Sequence, residues 1–157
     1  MLKAKRLTAQ QTLKVVRAFC ELHGPDAIRA AYHWPSTPTE ISYDRAFAFS
    51  AGEDMVGWGG ILLNPKIATD DEAALVVGVF PNHQRRGYRG QILDALAKKA
   101  AAMGADRASM VVYKSNEAHH ERTMREAKAP GSVWVHAGDV WYPSPGYSYF
   151  VRELAQP

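Results

Sequence analysis

The chain has no apolar run near the ~20 residues that a membrane-spanning helix needs, and its basic start, Met1-Leu2-Lys3-Ala4-Lys5-Arg6, leads into no secretory core. A soluble, intracellular and cytoplasmic protein is expected. Cys20 is the only cysteine, so no internal disulfide can form, and its expected state is a buried, inert thiol. No Gly-x-x-x-x-Gly-Lys-Ser/Thr is present, which argues against a nucleotide triphosphatase, and no Gly-x-Gly-x-x-Gly opens a dinucleotide fold. There is no His-x-x-x-His, and the neighbours His119 and His120 would point about 100° apart on a helix, so no metal site is expected. No serine or cysteine stands in a recognised nucleophile context. Repeats, low-complexity tracts and dividing linkers are absent too, which leaves one domain over residues 1–157.

What is present suits a globular enzyme or binding domain. A 157-residue chain that is 46% hydrophobic can bury a sizeable core. Its net charge of +3 is modest, and part of the excess sits in one loop. Elsewhere lysines and arginines are scattered among acids without a basic tail, so nucleic acid is not indicated as a partner.

Local patterns give an order of elements. Lys3 to Leu7 reads as a strand, and Thr8-x-x-Gln11 has the spacing of a capping box that opens a helix. Leu13, Val16, Phe19 and Cys20 give that helix a buried face, and His23-Gly24 ends it. A second helix starts at Pro25 and runs to about Trp34, where Pro35 stops it. Ala46 to Ser50 and Met55 to Leu63 form a hairpin, Asn64 to Asp71 a loop, and Ala73 to Phe80 a strand whose apolar run suits a central position. Ile92, Leu96, Ala100 and Met103 line one side of the next helix, stopped by Gly104. A strand from Ala108 to Tyr113 and a helix from Asn116 to about Lys128 follow. Val133 to His136 and Tyr147 to Val151 close the sheet.

The most informative stretch lies where the central strand meets its helix. Val79-Phe80-Pro81-Asn82-His83-Gln84-Arg85-Arg86-Gly87-Tyr88-Arg89-Gly90 runs from an apolar strand through a proline and a basic, glycine-bearing loop into an amphipathic helix. The first turn of a helix offers free N–H groups and the positive end of its dipole, and glycine lets a ligand come close to the main chain. Arg85, Arg86 and Arg89 add charge where a diphosphate would lie.

These residues resemble the GNAT acyltransferase superfamily, whose cofactor motif is Gln/Arg-x-x-Gly-x-Gly/Ala at a strand-to-helix junction. Gln84 to Arg89 fits five of the six places, and Val79-x-Pro81 is also typical of the family. Arg89 departs from the motif, standing where the family has Gly or Ala, and Gly90 follows one residue late. The resemblance implies an α/β fold, β-α-α-β-β-β-α-β-α-β-β, with the sheet splayed between its fourth and fifth strands. It also implies acetyl-CoA as acyl donor to an amine, without a metal.

Carried over residue by residue, the resemblance assigns Val77, Gly78 and Val79 to the pantetheine arm, with Val79 N–H as oxyanion donor. Gln84, Arg85, Arg86, Gly87, Tyr88, Arg89 and Gly90 would hold the diphosphate. Glu72, at the head of the strand beside Asp70 and Asp71, is the first candidate for the base that deprotonates the amine. Asn116 would contact the cofactor or cap the following helix. Seven residues on, Thr123 replaces the tyrosine that commonly protonates the leaving thiolate, so Tyr113, His119, His120 or water is expected to serve instead.

The first two helices and last two strands would build the acceptor side, which includes Tyr32, His33, Trp34, Trp58, Trp141 and Tyr142. The acceptor itself is left open: a small amine, an antibiotic, a peptide terminus or lysine, or an amino group on a modified nucleobase. A homodimer is also left open. Two rivals stand beside this reading, a CoA-binding module that no longer transfers and a small basic protein that binds nucleic-acid phosphates.

Overall fold

The computed structural model describes residues 1–34, 36–63 and 71–155. The chain starts with β1, Lys3–Arg6, and turns into α1, Ala9–His23. Thr8 caps that helix as its spacing predicts: Gln11 N donates to Thr8 Oγ1 at 3.2 Å, and Thr8 N donates to Gln11 Oε1 at 2.9 Å. Gly24, with φ +85°, breaks the helix, and Pro25 restarts it as α2, Pro25–Tyr32. This second helix is shorter than expected, because His33 takes the left-handed conformation (φ 54°) and closes the last turn on Arg29 O. Pro35, the expected stop, lies outside the described residues, as do Asp70 and residues 64–70 of the expected loop.

The hairpin of β2, Arg45–Ala51, and β3, Asp54–Leu63, leads to β4, Glu72–Val79. A 3-10 turn, Pro81–His83, and the basic loop connect β4 to α3, Tyr88–Ala102. Then come β5, Arg107–Tyr113, α4, Glu117–Lys128, and the hairpin of β6, Val135–Val140, with β7, Tyr147–Glu153. The strand expected over Val133 to His136 lies two residues later, since its register with β7 starts at Val135↔Val151 and closes at Val140↔Tyr147.

The seven strands form one sheet in the order β1-β2-β3-β4-β5-β7-β6. Alternation along the strands divides the core in two. Ala73, Leu75 and Val77 of β4 and Ala108, Met110 and Val112 of β5 pack with Ile92, Leu96 and Ala100 of α3. On the other face Trp58, Val76 and Phe80 pack with Val16, Phe19 and Ile28 of α1 and α2. All neighbours are antiparallel except β4 and β5, which are parallel and paired only at Glu72↔Arg107, Ala73↔Ala108 and Ala74↔Ser109. Beyond Ala74 and Ser109 the two strands part. The sheet is therefore forked, and the basic loop stands at the open end of the fork.

Candidate active site

In the fork, β4 presents one edge without a strand partner among the described residues. Phe80 N donates to Val56 O of β3 at 2.9 Å, so by alternation the N–H and C=O groups of Val77 and Val79 face away from β3 into the fork. The carbonyls found there are used by side chains. Tyr32 Oη donates to Val77 O at 2.7 Å, His23 Nε2 to Val79 O at 3.0 Å, and Gln84 Nε2 to the same oxygen at 3.4 Å. Burial raises the proton affinity of the Tyr32 phenol, which keeps it neutral and donating, whereas burial lowers that of His23. Gly78, behind this edge, has no room for a side chain: a Cβ would lie 2.3 Å from Trp58 Nε1.

The loop above the fork is shaped by backbone that only some residues tolerate. Arg85 has φ +63° and Gly87, which precedes α3 as its cap residue, has φ +78°. A left-handed arginine is strained by about 1–2 kcal/mol, and such strain persists where surrounding structure fixes it, commonly at ligand sites. Gln84, Arg85, Arg86, Gly87 and Gly90 are exposed, and no described residue beyond the chain neighbours lies within 4 Å of a Cβ built on Gly87 or Gly90. The first N–H groups of a 15-residue helix, an open glycine surface and the side chains of Arg85 and Arg86 thus meet at one place. Such a combination is chemically suited to an anion.

Arg89 takes another course. Its Nη2 reaches Met110 Sδ at 3.7 Å, one residue past the last β4–β5 pair, so the guanidinium lies in the fork. Among the described residues it has no carboxylate within ion-pair distance. Burial lowers its proton affinity, against the opposing fields of Tyr32 and Glu126. His119, on the adjoining turn of α4, is pushed down to about 3, first by burial and then by Arg89, Arg122 and His120. Arg122 Nη2 donates to His119 Nδ1 at 3.2 Å, so the neutral ring carries its proton on Nε2.

The C-terminal end of α2 bridges the open strands. Tyr32 holds β4, while the next residue, His33, stacks on Tyr113 at the end of β5 with ring centroids 3.9 Å apart. His33 Nε2 lies 3.1 Å from Ser115 Oγ, which donates to Ala30 O at 2.7 Å. Tyr147 packs edge-on against Tyr113, and burial and Tyr147 raise the proton affinity of the Tyr113 phenol. Trp34 stacks on Tyr32 and borders a cavity of about 410 Å³, lined also by Thr37, Glu40, Ile41 and Tyr43. Asn116, half-buried at the start of α4, makes no capping bond with its side chain.

Other expected residues stand elsewhere. Glu72 is at the closed end of the β4–β5 pair, 1% exposed and accepting a hydrogen bond from Tyr149 Oη. Seven strand steps of ~3.3 Å put it roughly 23 Å from Val79, which removes it from the fork's mouth. Trp58 is 1% exposed and belongs to the core against Phe19, so it does not line an acceptor path. Trp141 and Tyr142 are 69% and 84% exposed, and the Lys114 ammonium lies 3.1 Å from the centre of the Trp141 ring. His120 Nε2 donates to Ser148 Oγ at 2.7 Å, and that hydroxyl bonds Asp139, turning His120 toward β6 and β7. Thr123 is buried and donates to His119 O at 2.8 Å within α4. Cys20 is buried, and burial raises its thiol pKa, as befits an inert group.

Several residues of the fork were not legible as such. Ser115 sits unremarked between a strand and a helix, and nothing in the sequence indicates that Tyr32 and His23 reach the carbonyls of β4.

No curated protein sequence matches the chain. Among solved structures, an acetyltransferase from Thermus thermophilus has a TM-score of 0.69 at 20% identity, covering 98% of this chain and 97% of that one. The ribosomal-protein-S18-alanine N-acetyltransferase of Escherichia coli has a TM-score of 0.66 at 17% identity, covering 100% and 96%. The spermidine N-acetyltransferase of Vibrio cholerae, in complex with CoA and spermine, has a TM-score of 0.67 at 12% identity, covering 98% and 95%. At these identities the likeness is one of fold. The model of the acetyltransferase (GNAT) family matches residues 14–122, more than half of the sequence, and the forked sheet with its loop agrees: the chain belongs to the GNAT acetyltransferase family.

Proposed function

We propose that the protein transfers an acetyl group from acetyl-CoA directly to an amine, with both held on the enzyme at once. The observation that carries this reading is the basic, glycine-bearing loop, Gln84 to Gly90, at the mouth of a fork whose β4 edge has main-chain donors without a strand partner among the described residues. The donor supplies a thioester carbonyl open to attack by an amine. The loop's N–H groups with Arg85 and Arg86 suit its diphosphate, and Asn116 has an uncommitted amide for the pantetheine arm. Val79 N–H suits the oxygen of the carbonyl, where a fixed donor stabilises charge that develops only during reaction, worth roughly 3–4 kcal/mol. A buried, inert Cys20 agrees with transfer without an acyl-enzyme.

The fit is close at the loop and tighter inside the fork. Tyr32, His23 and Gln84 already bond the carbonyls of Val77 and Val79, and the Arg89 guanidinium lies beside Met110. Donor binding therefore requires these side chains to yield or to become ligands themselves. This crowding favours, as second reading, a module that binds CoA without transferring. The acceptor enters on the α2 side, beside Trp34 and the cavity with Glu40, a surface of aromatic rings and a carboxylate that suits an ammonium group.

The test is free-thiol release from acetyl-CoA with a panel of amines that includes spermine, spermidine and an alanine-initiated peptide. Thiol release that depends on the amine is expected, and Gly87→Val should abolish it together with at least about tenfold of donor affinity, since a β-branched residue at that φ is strained and fills the loop. Donor binding without release would leave the module reading. Binding to DNA or RNA with steep salt dependence and no response to CoA would leave the nucleic-acid reading.

A further inference from the structure

We infer that His33 is the general base that accepts the proton of the attacking amine, and that Ser115 positions it. The inference rests on the transfer reading above. Its first ground is location. Tyr32 and His33 are consecutive, and one bonds β4 at Val77 while the other stacks on β5 at Tyr113, so the imidazole stands on the β5 side of the open fork, beyond the last β4–β5 pair. That is where the carbonyl of a donor lying along Val77 and Val79 would meet an amine arriving from α2.

The second ground is the tautomer. Ser115 Oγ has a single proton, which it gives to Ala30 O at 2.7 Å, so toward His33 it can only accept. Nε2 of His33 therefore carries the hydrogen, and in the neutral ring the lone pair is on Nδ1. Stacking on Tyr113 at an interplanar angle of 21° fixes the ring plane. The left-handed backbone of His33, φ 54°, is held in place by the same contacts.

The third ground is the state of the other candidates. The lone pair of His119 accepts from Arg122, His120 is turned to Ser148, and Glu72 is sealed against Tyr149. His23 makes no hydrogen bond at Nδ1 among the described residues, but burial lowers its affinity for a proton, its ring packs on Phe19, and its Nε2 is given to Val79 O. The titratable and charged groups around His33 are Tyr113 of β5 with Tyr147 of β7 behind it, Tyr32 and Arg29 of α2, and Lys114 before Ser115. Arg29 pairs with Asp26, and Lys114 with Asp139.

In the step itself, the amine nitrogen bonds the carbonyl carbon and His33 Nδ1 takes one N–H proton. The C–S bond then breaks with its electron pair on sulfur, and the proton passes to the thiolate directly or through water. No oxidation or reduction is involved.

The experiment compares wild type with His33→Gln, Ser115→Ala and His23→Gln. In the ligand-free wild type, ¹⁵N NMR should find Nδ1 of His33 unprotonated and Nε2 protonated, and Ser115→Ala should mix the tautomers. His33→Gln should lose about 10²–10³-fold in kcat and the acid limb of the kcat/KM profile, with acetyl-CoA affinity kept. Ser115→Ala should lose about tenfold in kcat with the limb displaced. A folded His33→Gln that keeps kcat and the limb, a proton on Nδ1 in the wild type, or a loss confined to His23→Gln overturns the assignment alone. A wild type that binds acetyl-CoA but releases no thiol with any amine overturns the transfer reading, and the base with it.

Discussion

At the scale of single residues, burial and neighbouring charge hold His23, Tyr32 and His119 toward their neutral forms. His119 is the clearest case, since burial comes first and the charges of Arg89, Arg122 and His120 add to it in holding the imidazole at about 3. The consequence for stability has a definite sign. An unfolded chain protonates this histidine near its ordinary value of 6.5, whereas the folded protein resists until about 3, so the unfolded state binds more protons in between. The contribution is complete above about pH 6.5 and is lost as pH falls toward 3. Arg89→Met removes one cause but not the burial, so the titration of His119 should move up only part of the way. The melting temperature of the variant should fall less steeply with acid than that of the wild type. NMR titration of the His119 ring carbons in both proteins checks this, and a wild-type His119 that titrates at its ordinary value would refute the account.

At the scale of elements, α2 acts as a clasp across β4 and β5, and its hold on β4 is the bond from Tyr32 to Val77 O. If donor binding uses that carbonyl, the bond must break, and its loss is part of the cost of binding. Tyr32→Phe removes it beforehand. The free variant should be less stable by about 1 kcal/mol, while the rise in melting temperature caused by acetyl-CoA should be larger than in the wild type. An equal rise in both proteins would mean that Tyr32 stays on Val77 in the complex.

This clasp also marks how far the sequence could be read. Elements set by local rules were legible: Thr8 and Gln11 cap α1, Gly24-Pro25 divides two helices, and the apolar run of β4 falls in the middle of the sheet. The loop was legible for the same reason, since glycine and arginine spacing at a strand-to-helix junction is local chemistry. Contacts across 45 to 85 residues, Tyr32 to Val77 or Ser115 to Ala30, leave no periodic trace. The place of Glu72 at the closed end of the β4–β5 pair was not legible, because position at the head of a strand does not say which end of the strand faces the open fork. Nor was that of Trp58, because an aromatic on a strand looks alike whether it lines a path or fills a core.

At the scale of the whole molecule, the sheet consists of two antiparallel parts, β1 to β4 and β5 to β7, that meet through one short parallel seam. Three register pairs hold it, and the α2 clasp and the packing of α3 on β3, β4 and β5 supplement them. A ligand that lies along Val77 and Val79, touches the loop and reaches α4 at Asn116 would join the two parts where the strands themselves do not pair. Binding to the folded state alone stabilises it by about 2.7 kcal/mol at a hundred times the dissociation constant. This stabilisation should be uneven. With saturating acetyl-CoA, hydrogen exchange should slow most at Val77, Val79 and the amides from Arg85 to Gln91, less along β5, and by no more than the global increment in β1 and β2. The measurement is peptide-resolved exchange with and without acetyl-CoA, with Gly87→Val as control. A protection pattern spread evenly over both parts, or centred on β6 and β7, would show that the ligand does not enter the fork.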